Sequence, residues 1–161
     1  MPFRLDKLDL NVLMQLQNNA RISAQEISRR IHLSANAVTA RIRRLENEGY
    51  IKQYTTILNN AMVNRKLECI TGVRLMQNNN AHMNAFLTAV KSIPEVYCCY
   101  HVNSMFDFML HIVAIDVQDY HCFTKTLSEI NCVSRITPLI ILNEMDRPNV
   151  VDLSHLFSRF N

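Results

Sequence analysis

Residues 23–51 read SAQEISRRIHLSANAVTARIRRLENEGYI, and the reading of this stretch decides the fold. Ser23 followed by Glu26 is a capping box, in which the hydroxyl takes an orphan amide at a helix start and the carboxylate reaches back. The pattern predicts a short helix over 24–31, with Ile27 and Ile31 as its buried stripe. His32-Leu33 then makes a tight turn, and Ser34 is a second N-cap. A third helix follows over 35–48, with Gly49 placed to cap its C-terminus. Val38, Ile42 and Leu45 share one face of it and pack inward. At about 100° per residue, Asn36, Ala40, Arg43 and Asn47 point the other way. Ala37, Thr39 and Arg44 flank that outward face, and Arg41 lies nearer the core edge.

Two helices joined by a tight turn fit a helix-turn-helix, whose second helix enters the major groove of double-stranded DNA. The outward chemistry suits that task. Asn36 matches an adenine edge, Thr39 or Ala37 a thymine methyl, and Arg43 or Arg44 a guanine or a phosphate. Ser34 and the free amides at the helix start suit a phosphate oxygen. Arg21, Arg29, Arg30 and Lys52 are expected on phosphates rather than bases. A basic amphipathic helix is also an ordinary solvated face, and three-helix units also serve as protein-interaction modules. The charge distribution favours DNA. Residues 1–60 carry nine Lys and Arg against five Asp and Glu, whereas residues 61–161 carry eight against nine.

The stretch before this core predicts a first helix over 6–18, with Leu8, Val12, Leu13 and Leu16 on its core face. The stretch after it, Tyr50 to Leu58, is β-rich and is expected as a wing or connecting strand. Near residues 60–66 the pattern changes. Beyond that point it reads as a strand over 67–76, a helix over 80–92, strands over 96–102 and 106–115 around a bend at Asn103-Ser104, a helix over 117–130 and a last strand over 133–142. Met83, Phe86, Leu87 and Val90 form the inner face of the first of these helices, and Tyr120, Phe123, Leu127 and Ile130 that of the second. A βαββαβ order is the ferredoxin-like split βαβ unit. The expected fold is therefore α+β. A winged helix-turn-helix domain occupies residues 1–60, and a ferredoxin-like effector and oligomerisation domain occupies residues 61–161. Two helices cover only one face of four strands, and FMLHIVAI is nearly apolar on both sides. A second copy is the simplest cover for the other face, which predicts a two-fold homodimer through the sheets.

The sequence LDKLDLNVLMQLQNNARISAQEISRRIHLSANAVTARIRRLENEGYIKQYTTIL resembles the start of the Lrp/AsnC (feast/famine) regulators almost continuously. The shared elements are the opening LDxxD, the NARIS segment, LS before the recognition helix, RxxRLExxGxI after it, and QYTTIL. The βαββαβ half is similar to that family's regulatory domain in order and length. The resemblance implies a transcription factor that dimerises, assembles into octamers or other multiples, and responds to an amino-acid effector held at subunit interfaces. Carried onto this chain, it implies an effector pocket lined by Asn103, Ser104, Met105, Phe106 and Asp107, with Thr137 nearby. A hairpin bend with a capping Asp is the plain alternative for the same residues. Four positions depart from the family pattern. His32 stands where the turn usually has Gly, and Ala35 where Pro is common. In the regulatory loop, Asn103 or Ser104 replaces a Gly that lets backbone amides approach the effector, so a side chain narrows the pocket there. Pro138 stands where hydroxyl residues are common.

Other function classes find little support. With only Gly49 and Gly72 present, no Gly-rich phosphate loop can form. The chain has no HExxH, no CxxC and no nucleophile elbow. No cofactor and no metal site are expected. The one metal arrangement worth weighing joins His101 and His111 across the hairpin, with Cys99 or Cys122. Some proteins on this two-domain plan act on tetrapyrroles as sirohaem decarboxylases, but the β-half here carries few Arg and Lys for a large acidic ligand. A partner that modulates a sister regulator without binding DNA is the third alternative, and the basic helix argues against it. The five cysteines, Cys69, Cys98, Cys99, Cys122 and Cys132, are expected as reduced core residues. No segment approaches the roughly 18 apolar residues of a membrane span, and no secretory signal opens the chain, so a cytoplasmic protein is expected.

Overall fold

The computed structural model describes residues 5–143 and 150–160. They form two compact units. The first is helical. Helix α1 runs over Lys7–Asn18, α2 over Ala24–Ile31 and α3 over Ala35–Asn47. Each begins at a side-chain cap: Asp6, Ser23 and Ser34 accept from the amides of Asp9, Glu26 and Ala37. The three helices close on Leu10, Val12, Leu16, Ile27, Val38 and Leu45. Leu10 was not among the expected core positions of α1, because α1 buries a wider arc than a single stripe.

The turn between α2 and α3 is left-handed at His32, with φ 55° and ψ 44°. His reaches this region less readily than Gly. The turn is held by the Leu33 amide, which donates to the Ser28 carbonyl at 3.1 Å. Gly49 has φ 77°, and the Gly49 and Tyr50 amides return to the Glu46 and Leu45 carbonyls, which ends α3 as expected.

Two expectations change here. Tyr50 to Leu58 forms no strand. An extended segment becomes a strand only when a neighbour completes its ladder, and no described segment of the chain pairs with this one. The domain division at residue 60 also changes, because the chain end returns to the helical unit. Helix α6, Ser154–Phe157, brings Leu153, Leu156 and Phe157 onto that core. The Gln17 amide clamps the segment by accepting from the Val151 amide at 2.8 Å and donating to its carbonyl at 3.3 Å.

The second unit is a four-stranded antiparallel sheet of order β2-β3-β1-β4. Its strands are β1, Leu67–Leu75; β2, Val96–His101; β3, Phe108–Ala114; and β4, Val133–Ile140. Helices α4, Asn80–Val90, and α5, Val117–Ser128, complete the βαββαβ order. One sheet face and the inner faces of both helices make the core. It contains Cys69, Val73, Phe108, Leu110 and Ile112 from the sheet, and Phe86, Val90, Tyr120, Phe123 and Leu127 from the helices. Phe86 and Phe108 stack at 4.6 Å between ring centres. The one buried hydroxyl of this sheet face, Thr71, meets the Tyr120 hydroxyl at 2.9 Å. Burial pushes the Tyr120 phenol above its ordinary value, and the Thr71 bond offsets part of that.

The opposite face carries the alternate residues, including Ile70, Gly72, Arg74, Met109 and His111, and no described element packs over it. Pro138 lies in edge strand β4, where a missing amide is tolerated. All five cysteines are free, but they are not uniformly core residues. Cys69 and Cys132 are buried, whereas Cys122 is exposed on α5, because its position falls off the Tyr120–Phe123–Leu127 stripe.

Leu156→Ala should lower the stability of the helical unit by about 2 kcal/mol, the low end for a buried leucine, because α6 is a single turn at the edge of its core. Hydrogen exchange of the α1 amides reads this loss. Unchanged protection would mean that the returning chain end contributes nothing to that unit.

Candidate nucleic-acid interface and ligand loop

Helix α3 is fixed by a buried charge cluster rather than by apolar packing alone. Asp6 and Asp9 first cap α1 reciprocally. The Asp9 amide donates to Asp6 Oδ1 at 2.7 Å, and the Asp6 amide donates to Asp9 Oδ2 at 2.9 Å. The Asp9 side chain is fully buried. Arg41 Nη1 then donates to Asp6 Oδ2 and Asp9 Oδ1, both at 2.6 Å. Arg44 Nη2 donates to Asp9 Oδ2. Burial pushes the Asp6 carboxyl up, but the Asp9 amide and the Arg41 guanidinium outweigh it, and the group sits below its ordinary 3.8.

This cluster bears on one expectation. Arg44 was expected at a guanine or a phosphate, yet its Nη2 is committed to Asp9. A buried carboxylate needs charged partners, and Arg44 lies one turn from Arg41 on the same side of α3. Asp6 and Asp9 were not among the candidate site residues. The available signal was the spacing itself: two acids three apart on α1 facing two arginines three apart on α3.

The remaining outward residues of α3 stand free. Asn36, Ala40 and Arg43 are exposed, and Ala37 and Thr39 are half-buried. Arg43 has no ion-pair partner among the described residues, and Arg21, Arg29 and Lys52 share that property. Arg30 differs. Its guanidinium donates to Glu26 and to Gln15 Oε1, so much of its charge is already answered. Two hydroxyls are engaged by the backbone. Ser34 accepts from the Ala37 amide at 3.2 Å, and Thr39 donates to the Ala35 carbonyl at 3.0 Å. Beyond α3, the Tyr54 hydroxyl donates to Glu46 Oε1 at 2.9 Å, and burial together with that carboxylate pushes the phenol up to about 12.

In the sheet unit, residues 102–107 link β2 to β3. Asp107 Oδ2 accepts from the Leu75 amide at 2.8 Å, and the Asp107 amide donates to the Val73 carbonyl at 2.9 Å. The Ser104 hydroxyl accepts from the Phe106 amide at 3.2 Å. Ser104 does not have a positive φ, so the loop closes without the conformation that a glycine would supply. Asn103, Ser104 and Met105 are exposed, and Phe106 folds back onto Gly72. A Cβ at Gly72 would lie 2.7 Å from the Phe106 ring. Thr137 is the register partner of Gly72, so it belongs to the same neighbourhood.

His101 and His111 are not neighbours. His101 pairs with Phe108 on the core side, whereas His111 lies on the open side with its Nε2 3.2 Å from Glu68 Oε2. Cross-strand parity separates them, since His101 is opposite Phe108 and His111 is opposite Cys98. Among the described residues no helix is long and apolar enough to cross a membrane.

Residues 5–52 match the winged helix-turn-helix DNA-binding model, and residues 68–151 match the Lrp/AsnC ligand binding domain. The chain belongs to the Lrp/AsnC family. It is 31% identical to the leucine-responsive regulatory protein of Escherichia coli over 146 residues, covering 90% of this chain and 89% of the relative. It is 30% identical to the HTH-type transcriptional regulator LrpC of Bacillus subtilis, covering 91% and 97%. Among solved structures, it is similar to a transcriptional regulator of Neisseria meningitidis in complex with L-Met, with a TM-score of 0.89 and 28% identity over 94% of this chain and 99% of that one. The chain is thus a transcription regulator of Lrp/AsnC type, with a DNA-binding helix-turn-helix and a ligand-binding domain.

In this Lrp/AsnC chain, Asp9→Ala should cost the helical unit about 3–5 kcal/mol, because it leaves Arg41 and Arg44 without their buried counter-charge. Urea unfolding followed by helical signal measures this, and a loss under 1 kcal/mol would show that the cluster is dispensable. The Asp6 contribution has a defined sign. A depressed carboxylate stabilises above its unfolded value near 3.8 and loses that contribution as pH falls through the folded value. Asp6→Asn should therefore flatten the stability curve below about pH 4, and a curve parallel to the wild type would remove Asp6 as its source.

Proposed function

We propose that the chain is a sequence-specific regulator in which α3 reads the major groove and a small-molecule effector, of the amino-acid class, binds the sheet unit. One observation carries the first half: α3 is locked by Asp9 through Arg41 and Arg44, while Arg43 is exposed with no ion-pair partner among the described residues. Asn36, Ala37, Thr39 and Ala40 accompany it at the bases. Ser34, Arg21, Arg29 and Lys52 hold phosphates, with Arg30 contributing less because Glu26 already answers it.

The effector half is supported by the ligand-binding domain match and by the neighbour solved with L-Met. The candidate residues are Asn103, Ser104, Met105, Phe106, Asp107 and Thr137. Asp107 serves chiefly to fix the loop, because its carboxylate holds the Leu75 amide. The open sheet face supports a homodimer, and further assembly, such as an octamer, would place several helix-turn-helix units on one DNA. The protein acts by binding rather than turnover, in the cytoplasm.

Arg43→Ala should weaken binding to the operator by about 1–3 kcal/mol and reduce discrimination at one base position. Fluorescence anisotropy with upstream DNA, against unrelated DNA at the same salt, measures both. An equal loss on both DNAs would make Arg43 a phosphate contact, and an unchanged operator affinity would remove it from the interface.

A further inference from the structure

Arg74 on β1 is the register partner of Arg135 on β4. Both are exposed. Directly opposite residues of an antiparallel pair project from the same face, and like charges there repel. Arg74 alternates with the core residues Val73 and Leu75, so the pair stands on the open side of the sheet. Neither arginine forms an ion pair among the described residues. The acid in the adjoining loop, Asp107, is turned to the Leu75 amide instead.

Beyond the core-facing Val73–Ile136 row, the next row on the same face is Gly72 opposite Thr137. Gly72 offers no side chain, and the Phe106 ring lies against its backbone. Two exposed arginines therefore stand one same-face row, two residues along each strand, from a hydroxyl residue and an aromatic ring. Guanidinium forks fit a carboxylate in planar, bidentate fashion. An aromatic face beside them suits an apolar substituent.

We propose that Arg74 and Arg135 bind the carboxylate of a small organic acid whose apolar end rests on Phe106. This rests on the amino-acid reading above and deepens it, because it names the end of the effector that the chain recognises. The acid relieves the repulsion between the two arginines, so its binding stabilises the β1–β4 pair. It also assigns the recognition to side chains of the sheet rather than to backbone amides of a glycine loop.

The test uses the full-length protein with calorimetry and thermal shift. The probes are L-methionine and L-leucine, their 2-oxo acids, methioninamide and methioninol, and inorganic sulfate. The acids should bind, and the amide and alcohol should not. Arg74→Gln and Arg135→Gln should each weaken acid binding at least tenfold, with sedimentation recorded beside it because the pair lies on the face proposed for the homodimer. Equal binding of the amide or alcohol, or stabilisation by sulfate equal to that by the acids, would overturn the proposal. So would the absence of binding by any acid. A changed oligomeric state in the variants without a change in ligand affinity would assign the pair to a partner's carboxylate and overturn it as well. Binding of 2-oxo acids but not amino acids, lost in both variants, would keep the site and discard the amino-acid reading. Amino-acid binding indifferent to both substitutions would do the reverse.

Discussion

The buried carboxylate of Asp9 is the constraint on which the helical unit depends. Removing an ion from water costs several kcal/mol, and only close, well-directed partners offset it. Here the partners are two guanidiniums from α3 and an amide from the start of α1. The orientation of α3 relative to α1 is therefore set by directional bonds, whereas apolar contact between Val38, Leu45 and Leu10 alone would tolerate rotation. The cluster also sorts the arginines of α3. Arg41 and Arg44 turn toward Asp9, and Arg43, between them in sequence, stays exposed. On the reading proposed above, Arg43 must be held at a fixed angle to read a base, and the neighbours that hold its helix are themselves charged.

The sheet unit is organised by a different constraint. Two helices are enough to bury one face of four strands, so the core is one-sided. Thr71 shows how strictly that face is kept. Its hydroxyl enters an apolar layer and is matched by the Tyr120 hydroxyl from α5. On the other face the residues are mixed: Glu68 with His111, the Arg74–Arg135 pair, and apolar Ile70 and Met109 between them. Polar groups at both ends of an apolar middle are what a surface needs if it meets both protein and a charged small molecule.

Much of this was legible from the residues. Helical periodicity, Ser23, Ser34 and Gly49 delimit α2 and α3 to within one residue, because caps are local chemistry. The apolar run over 106–115, set off by the Asn103-Ser104 bend, likewise marks β3, and its burial follows a period of two. The failures are non-local. Tyr50 to Leu58 has strand-like side chains, but a strand is a property of two segments. The return of Leu153, Leu156 and Phe157 to α1 depends on a Gln17 clamp 134 residues away in sequence. Arg44 looked free because helical phase places it beside the outward face. Only the position of Asp9, on another helix, turns it inward.

Three of the four departures from the family pattern each meet a local solution, and the solutions differ in kind. His32 accepts the left-handed conformation outright, with φ 55°, at a cost on the order of 1 kcal/mol relative to glycine. Pro138 sits in an edge strand, where its missing amide breaks no interior ladder. Ser104 avoids the left-handed region, and its hydroxyl takes the Phe106 amide instead. That last solution changes the chemistry on offer. The Phe106 amide is thereby bonded within the loop, and the site proposed on β1 and β4 draws on side chains instead. Gly72 makes the complementary change, giving up its side chain so that Phe106 can lie against β1. The glycine absent from the loop and the glycine present on the strand are thus linked by one ring, and on the proposal above they leave ligand recognition to the side chains of the sheet.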